Sequence, residues 1–170
     1  MRLSSPEGFR AFYEETLPRV YTYFFHRCGG IASVAEDLTQ EAFLAVVGEI
    51  KKGKPVKDPL PWVLGIARHK LLDHYRRQKR EERTLALSWE GQRSDDQLLT
   101  WDEEDSWERA LAALGSMPAS QRAALALRYL DGMSVPELAR ALGRSIRAAE
   151  SLLARGRESF KRFYLEADGG

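Results

Sequence analysis

The chain has 170 residues, of which 44% are hydrophobic and 30% are charged, and its formal net charge is +1. This composition is typical of a globular protein with room for one medium-sized domain or two small ones. No apolar run approaches the roughly 20 residues of a membrane-spanning helix, and the amino terminus lacks the apolar segment of a signal peptide, so we expect a cytoplasmic protein.

The small net charge conceals two basic segments and an acidic one. Residues 1–83 carry 15 Lys and Arg against 11 Asp and Glu, and residues 109–170 carry 10 against 6, so each segment has a net charge of +4. Residues 84–108 carry one basic and eight acidic side chains, a net charge of −7. The sequence therefore predicts two modules, residues 1–83 and 107–170, joined by an acidic linker at residues 84–106.

Helical periodicity dominates the first module. Apolar side chains at helical spacing predict a first helix that ends at the Gly29 and Gly30 pair. A second helix is predicted to begin near Ser33, with Glu36 completing a capping box. After a basic loop at residues 51–59, a long helix is predicted over residues 60–83. No strand-type alternation of any length occurs, so the predicted fold class is all-α.

The second module is predicted to contain helices at residues 107–114 and 119–130, followed by a helix-turn-helix. Residues 134–147 read SVPELARALGRSIR. Ser134 and Glu137 form a capping-box pattern, Gly143 ends the first short helix, and Ser145 caps the second. This arrangement is typical of a motif that places its second helix in the DNA major groove, although two amphipathic helices that merely pack together have the same pattern.

The second helix of this motif divides into an inward and an outward face. Its apolar positions, predicted to face inward, are Ile146, Ala149, Leu152 and Leu153. The side chains left to contact base edges and phosphates are Arg144, Ser145, Arg147, Glu150, Ser151 and Arg155.

The long helix of the first module becomes strongly basic towards its end. Seven Lys and Arg residues lie between Arg68 and Arg83, which suits neutralisation of a nucleic-acid backbone. Trp62, His74 and Tyr75 are candidates for stacking on unpaired bases, with packing in the protein core as the alternative for Trp62.

The second helix of the first module, predicted to begin near Ser33, presents acidic, amide and apolar side chains close together. These are Asp37, Leu38, Gln40, Glu41 and Phe43. Hydrogen-bond acceptors beside apolar anchors suit a protein interface with a basic partner, and the alternative is an ordinary core helix with a solvated acidic face.

Enzymatic chemistry is not expected. The sequence offers no Ser-His-Asp set, no paired carboxylates with an evident cleft and no metal quartet. His26 and Cys28 are too few for a structural zinc site. We therefore expect no catalytic activity, no cofactor and no metal.

Three segments, in order, resemble one family, the bacterial RNA polymerase sigma factors of the extracytoplasmic-function (ECF) group. Residues 35–43, AEDLTQEAF, resemble its polymerase-binding helix, and residues 62–77, WVLGIARHKLLDHYRR, are similar to its promoter-melting and minus-10 helix. Residues 114–157 resemble its minus-35 domain. The resemblance implies a region 2-like helical bundle and a region 4-like helix-turn-helix domain, with the linker threading into the polymerase cleft.

The resemblance also implies roles for residues and partners. Asp37, Leu38, Gln40, Glu41 and Phe43 would contact core RNA polymerase, and the helix-turn-helix residues named above would read the minus-35 element. The residues implied for the melted minus-10 element are Lys54, Val56, Lys57, Trp62, Arg68, His69, His74, Tyr75, Arg76, Arg77 and Arg80. Many family members are held inactive by an anti-sigma protein, which is an implied partner here. The alternative function is a ligand-sensing helix-turn-helix transcription regulator.

Overall fold

The computed structural model of the chain describes the backbone of residues 3–82 and 104–168, and the side chains of residues 3–78 and 107–166. Every regular element in the described ranges is helical, which confirms the predicted all-α class. The helices are α1 (Pro6–Arg27), α2 (Ala32–Lys51), α3 (Pro59–Glu82), α4 (Glu104–Ser116), α5 (Ala119–Leu125, continuing as a π-helical turn, Ala126–Leu130), α6 (Val135–Leu142) and α7 (Ile146–Asp168). Most of the predicted linker, residues 84–103, lies outside the described residues, and α4 begins at Glu104.

The described residues form two compact units. Unit 1 consists of those within Met1–Phe25 and Ile31–Asp73, and unit 2 of those within His26–Gly30 and His74–Gly170. Residues 26–30 and 74–82, which the sequence analysis assigns to the first module, are thus part of unit 2.

Unit 1 is built from α1, α2 and the first part of α3. Its largest fully buried side chains include Phe12, Phe24 and Leu71. Phe12 lies at the centre of an aromatic cluster, with its ring centroid 6.2 Å from that of Phe43 on α2 and 6.1 Å from that of Trp62 on α3. Edge and tilted contacts of this kind add to the hydrophobic stabilisation of a core.

Helix α2 begins earlier than predicted. Its first residue is Ala32, its N-cap is Ile31, and no side chain caps it, so the Ser33–Glu36 capping box predicted from the sequence is wrong. The Ala35 amide instead donates to the Ile31 carbonyl at 3.1 Å, which closes the first helical turn. Ala35 is completely buried, so packing of this turn takes precedence over the local capping signal.

Unit 2 centres on α7, which packs against α4, α5 and α6. Leu127, Leu138 and Leu152 are among its buried side chains. The buried Arg122 on α5 donates to the Leu114 carbonyl at 2.7 Å and to the Met117 carbonyl at 2.9 Å. Because the last carbonyls of a helix lack intrahelical donors, this guanidinium stabilises the carboxyl end of α4.

Candidate functional site

The turn between α6 and α7 has the local geometry that its sequence predicts. The Ser134 side chain accepts a hydrogen bond from the Glu137 amide at 3.3 Å and donates to the Glu137 carboxylate at 3.0 Å. Gly143 adopts the left-handed conformation, with φ of 64°, which glycine tolerates without strain. The Ser145 hydroxyl accepts from the Ala148 amide at 3.1 Å and caps α7. The predicted helix-turn-helix is therefore present.

Helix α7 presents a polar face opposite its buried one. Ala149, Leu152 and Leu153 are buried, as predicted. Ser145, Arg147, Glu150 and Ser151 are exposed, whereas Arg144 and Arg155 are half-buried. Arg147, Glu150 and Ser151 are three and four positions apart and therefore lie on one side of the helix. This face combines donors and acceptors that match base edges and phosphates.

The prediction that Ile146 faces inward is wrong. This side chain is 51% exposed at the first position of α7. The first residue of a helix has no preceding turn to pack beneath, so its side chain stays open to solvent. An exposed apolar group beside Arg147 adds a surface suited to a thymine methyl group, a feature that the sequence analysis missed.

Most of the basic side chains that the structure describes on α3 are exposed. Within unit 1, Arg68 and His69 are exposed, and Trp62 is half-buried beside Phe12. The packing of Trp62 matches the core alternative, although part of its surface remains accessible. Lys54 and Lys57 are exposed in the loop before α3, and Val56 is half-buried.

The part of α3 in unit 2 carries both exposed and buried side chains. Arg76 and Arg77 are exposed, and the ring of the half-buried His74 lies 6.1 Å from that of Tyr75. Tyr75 is only 4% exposed, and its hydroxyl donates to the Arg27 carbonyl at 2.6 Å. In this arrangement the Tyr75 ring is not available for stacking on a base. The side chain of Arg80 lies outside the described residues.

Helix α2 carries a mixed acidic and apolar face whose composition differs from the prediction. Asp37 and Gln40 are exposed and Glu41 is half-buried, as a contact surface requires. Leu38 and Phe43 are buried in unit 1, so they support the helix from beneath rather than forming its exposed surface.

The apolar part of that face is supplied by two residues that the sequence analysis missed. Leu44 is 72% exposed and Val47 is 37% exposed. They follow Asp37, Gln40 and Glu41 at spacings of three and four residues, so all five share one side of α2. That spacing was the available signal. We call this set the α2 face.

The described residues include no group of three or more His, Cys, Asp or Glu side chains placed to hold a metal ion. Burial lowers the pKa of His26, and the Arg27 charge adds to this effect. Burial raises the pKa of Cys28 to about 12, against the opposing charges of Arg122 and Arg27. Within the described ranges, no helix is long and apolar enough to span a membrane.

A capped helix-turn-helix with an exposed polar face on its second helix defines the chain as a helix-turn-helix protein. Comparison with known families gives two matches. The family described as Sigma-70 region 2 matches residues 12–81, and the family described as Sigma-70, region 4 matches residues 107–160.

Related proteins identify the group to which the chain belongs within the sigma factors. The ECF RNA polymerase sigma factor SigX of Bacillus subtilis is 30% identical over 142 residues, covering 80% of this chain and 73% of that protein. The ECF RNA polymerase sigma factor SigF of Caulobacter vibrioides is 31% identical over 178 aligned positions, covering 99% of this chain and 94% of that protein. The chain belongs to the ECF RNA polymerase sigma factor family.

The fold is also similar to that of a solved sigma factor. The structure of RpoE from Bartonella quintana, in complex with the anti-sigma factor NepR, aligns with a TM-score of 0.50. The alignment covers 92% of this chain and 96% of that chain at 18% identity, so the likeness concerns the fold alone.

Proposed function

We propose that this chain binds core RNA polymerase and directs it to promoters by contacting their minus-10 and minus-35 elements, without catalysing a reaction itself. The observation that carries the proposal is the exposed polar face of α7 on a capped helix-turn-helix, in a chain of the ECF sigma factor family. The family matches in both modules favour this function over that of a ligand-sensing regulator. The chain would act in the cytoplasm, where the polymerase works.

The amino-terminal end of α7 is the proposed minus-35 reader. Arg147, Glu150 and Ser151 are exposed on one side of the helix, and Ser145 and Arg144 lie at its start. The first amides of a helix attract phosphate, while exposed side chains of the first two turns reach base edges. Arg155, half-buried two turns further along, is proposed to contact a phosphate.

The basic surface of α3 and its preceding loop is the proposed minus-10 contact. Lys54, Val56 and Lys57 would receive a flipped base, and Arg68, Arg76 and Arg77 would neutralise phosphates. The remaining residues of this proposed set are Trp62, His69, His74, Tyr75 and Arg80. Tyr75 would have to leave its buried position to reach DNA.

The α2 face is the proposed contact with core polymerase. Asp37, Gln40 and Glu41 supply acceptors for a basic partner, and Leu44 and Val47 supply apolar area. Leu38 and Phe43, also part of the predicted contact, would act by holding α2 against unit 1. An anti-sigma protein, such as the one bound in the Bartonella quintana structure, is a proposed partner.

Run-off transcription tests the function. Core RNA polymerase should produce new transcripts from a subset of a genomic promoter library only when this chain is added. If the chain stimulates transcription from no promoter, the proposed function is wrong.

A charge reversal on the α2 face tests the assembly step. Asp37→Arg should weaken binding to core polymerase, because it places a positive charge opposite the proposed basic partner. Glu15→Arg introduces the same charge change at an exposed site on α1 and should leave binding intact. Equal binding by the two variants, with unchanged helicity, would remove Asp37 from the interface.

A further inference from the structure

The first turn of α7 exposes an apolar side chain next to a carboxylate. Ile146 is 51% exposed at the first position of the helix, and Glu150 is exposed four positions later. Residues at this spacing are neighbours on a helix surface. Because isoleucine is β-branched, it has one strongly preferred side-chain rotamer in a helix. The apolar group is therefore held in a nearly fixed position beside the Glu150 carboxylate.

The Glu150 carboxylate is available to a donor outside the chain. Arg147 lies three positions before Glu150 and could pair with it on the helix surface. In the part of the chain that the structure describes, however, the ion pairs are those of Glu14, Glu49 and Asp131, and none involves Glu150. Both oxygens of this carboxylate can therefore accept hydrogen bonds.

A carboxylate on a surface that meets DNA has few favourable partners. The phosphates repel it, and the donors in the major groove are the amino groups of cytosine and adenine. The adenine amino group lies beside the N7 acceptor, whereas the cytosine N4 amino group has no acceptor next to it on the same base. An acceptor-only group such as the Glu150 carboxylate therefore matches cytosine best.

The apolar neighbour selects a different base. The 5-methyl group of thymine is the apolar group of the major groove, and it lies on the same edge of a pyrimidine as the N4 amino group of cytosine. Consecutive bases of one strand are about 3.4 Å apart along the axis, and Cβ atoms four positions apart on a helix are separated by about 5–6 Å. Ile146 and Glu150 can therefore reach two consecutive bases of one strand.

We propose that Ile146 and Glu150 together select a thymine and a cytosine that are adjacent on one strand of the minus-35 element. Ile146 contacts the 5-methyl group of the thymine, and Glu150 accepts a hydrogen bond from the N4 amino group of the cytosine. The proposal rests on the proposed function, because it requires α7 to enter the major groove. It adds the bases that this helix selects and the atoms through which it selects them.

Deoxyuridine tests the contact of Ile146, because it differs from thymidine only in lacking the 5-methyl group. The probe is a fluorescently labelled duplex of a promoter from which the chain directs run-off transcription, and the chain is assembled with core polymerase. Each thymine of the upstream half of the duplex is replaced in turn. At one position, replacement should weaken binding of the wild-type holoenzyme by about fourfold, the loss expected for one buried methyl group. Ile146→Ala should bind the thymine and deoxyuridine duplexes equally.

Two variants control for nonspecific effects of truncating Ile146. Leu165 is 67% exposed near the end of the same helix, and Leu165→Ala should leave the fourfold effect of deoxyuridine intact. Ile146→Val keeps a β-branched apolar group and should retain most of that effect. All three substituted side chains are exposed, so circular dichroism should show unchanged helicity.

Exchange of one base pair tests the contact of Glu150. The cytosine beside the identified thymine is replaced with thymine, and adenine is placed opposite, so that an O4 acceptor stands where the amino donor was. Wild-type binding should fall at least about tenfold, as expected for loss of a hydrogen bond to a charged group. Glu150→Gln, whose amide can donate to O4, should lose less than about threefold. Glu158→Gln, at an exposed position two turns further along α7, should behave as the wild type.

The outcomes separate the base assignment from the function. The thymine contact is wrong if no deoxyuridine position weakens wild-type binding, or if Ile146→Ala remains sensitive to the same position. The cytosine contact is wrong if no cytosine adjoins that thymine, or if Glu150→Gln discriminates cytosine from thymine as strongly as the wild type does. A chain that directs transcription but fails these tests overturns the base assignment alone. A chain that directs transcription from no promoter overturns the proposed function and this assignment with it.

Discussion

Truncation of Leu44 measures the contribution of the α2 face to polymerase binding. Leu44→Ala removes three carbon atoms from a side chain that is 72% exposed in the free chain. At ~0.8 kcal/mol per buried CH₂ group, scaled by the exposed fraction, full burial against polymerase predicts a loss of about 1.7 kcal/mol. This corresponds to an increase of about fifteenfold in Kd. Leucine and alanine both favour helices, so the free chain should remain folded.

The assay is a titration of core polymerase without DNA, using fluorescently labelled chain. The matched control is Ile146→Ala, which truncates another exposed aliphatic side chain, on α7, and should leave polymerase affinity unchanged. The reasoning is refuted if Leu44→Ala retains the wild-type helicity and binds polymerase with a Kd within about twofold of the wild-type value.

Three further predictions concern DNA contact and stability. Arg147→Ala should reduce the free energy of binding to a promoter duplex by ~1–3 kcal/mol and relax the sequence preference at one base pair. Arg155→Ala should instead weaken binding to promoter and scrambled duplexes alike and reduce the slope of log affinity against log salt concentration by about one. Both variants are measured by titration across salt concentrations. Equal losses on both duplexes for Arg147→Ala would contradict base reading. Arg122→Met should lower the free energy of unfolding, measured in urea, by about 3 kcal/mol, because the buried carbonyls at the end of α4 lose a charged donor. The control is Arg140→Met, at an exposed position. An equally small loss of stability in both variants would count against this role of Arg122. The pKa of His26 is lowered in the folded chain, so as the pH falls the unfolded chain binds a proton at this residue before the folded chain does. The urea concentration at the midpoint of unfolding should therefore fall as the pH drops below about 6.5. His26→Asn should reduce this fall.

Three local signals in the sequence of the helix-turn-helix predicted its structure correctly. The Ser134–Glu137 capping box, the left-handed Gly143 and the Ser145 cap all occur where the sequence predicts them. Each involves atoms within a few residues, so a local signal can specify it, although packing took precedence over the equally local Ser33–Glu36 signal at the start of α2. The all-α class followed from helical periodicity for the same reason.

The choice of exposed side chains on α2 depended on tertiary structure. Helical spacing places Leu44 on the same side as Asp37 and Glu41, but it does not identify the element that covers the neighbouring Phe43. The Phe43 ring packs 4.9 Å from that of Tyr13 and 6.2 Å from that of Phe12, so α1 buries it and leaves Leu44 outside. The sequence therefore predicted the helix that we propose binds polymerase, and the structure shows that its two predicted apolar contacts, Leu38 and Phe43, are buried.

The burial of Tyr75 and the pairing of Arg27 with Asp131 were also beyond sequence reasoning. The Tyr75 hydroxyl bonds to a carbonyl 48 positions away, and the ion pair joins residues 104 positions apart. Helical periodicity and capping act over a few residues and carry no information about such distant partners. The sequence by itself determined the helices, the motif and the family resemblance. Only the tertiary structure decided which elements cover side chains such as Phe43 and Tyr75, because this depends on the elements that pack against each face.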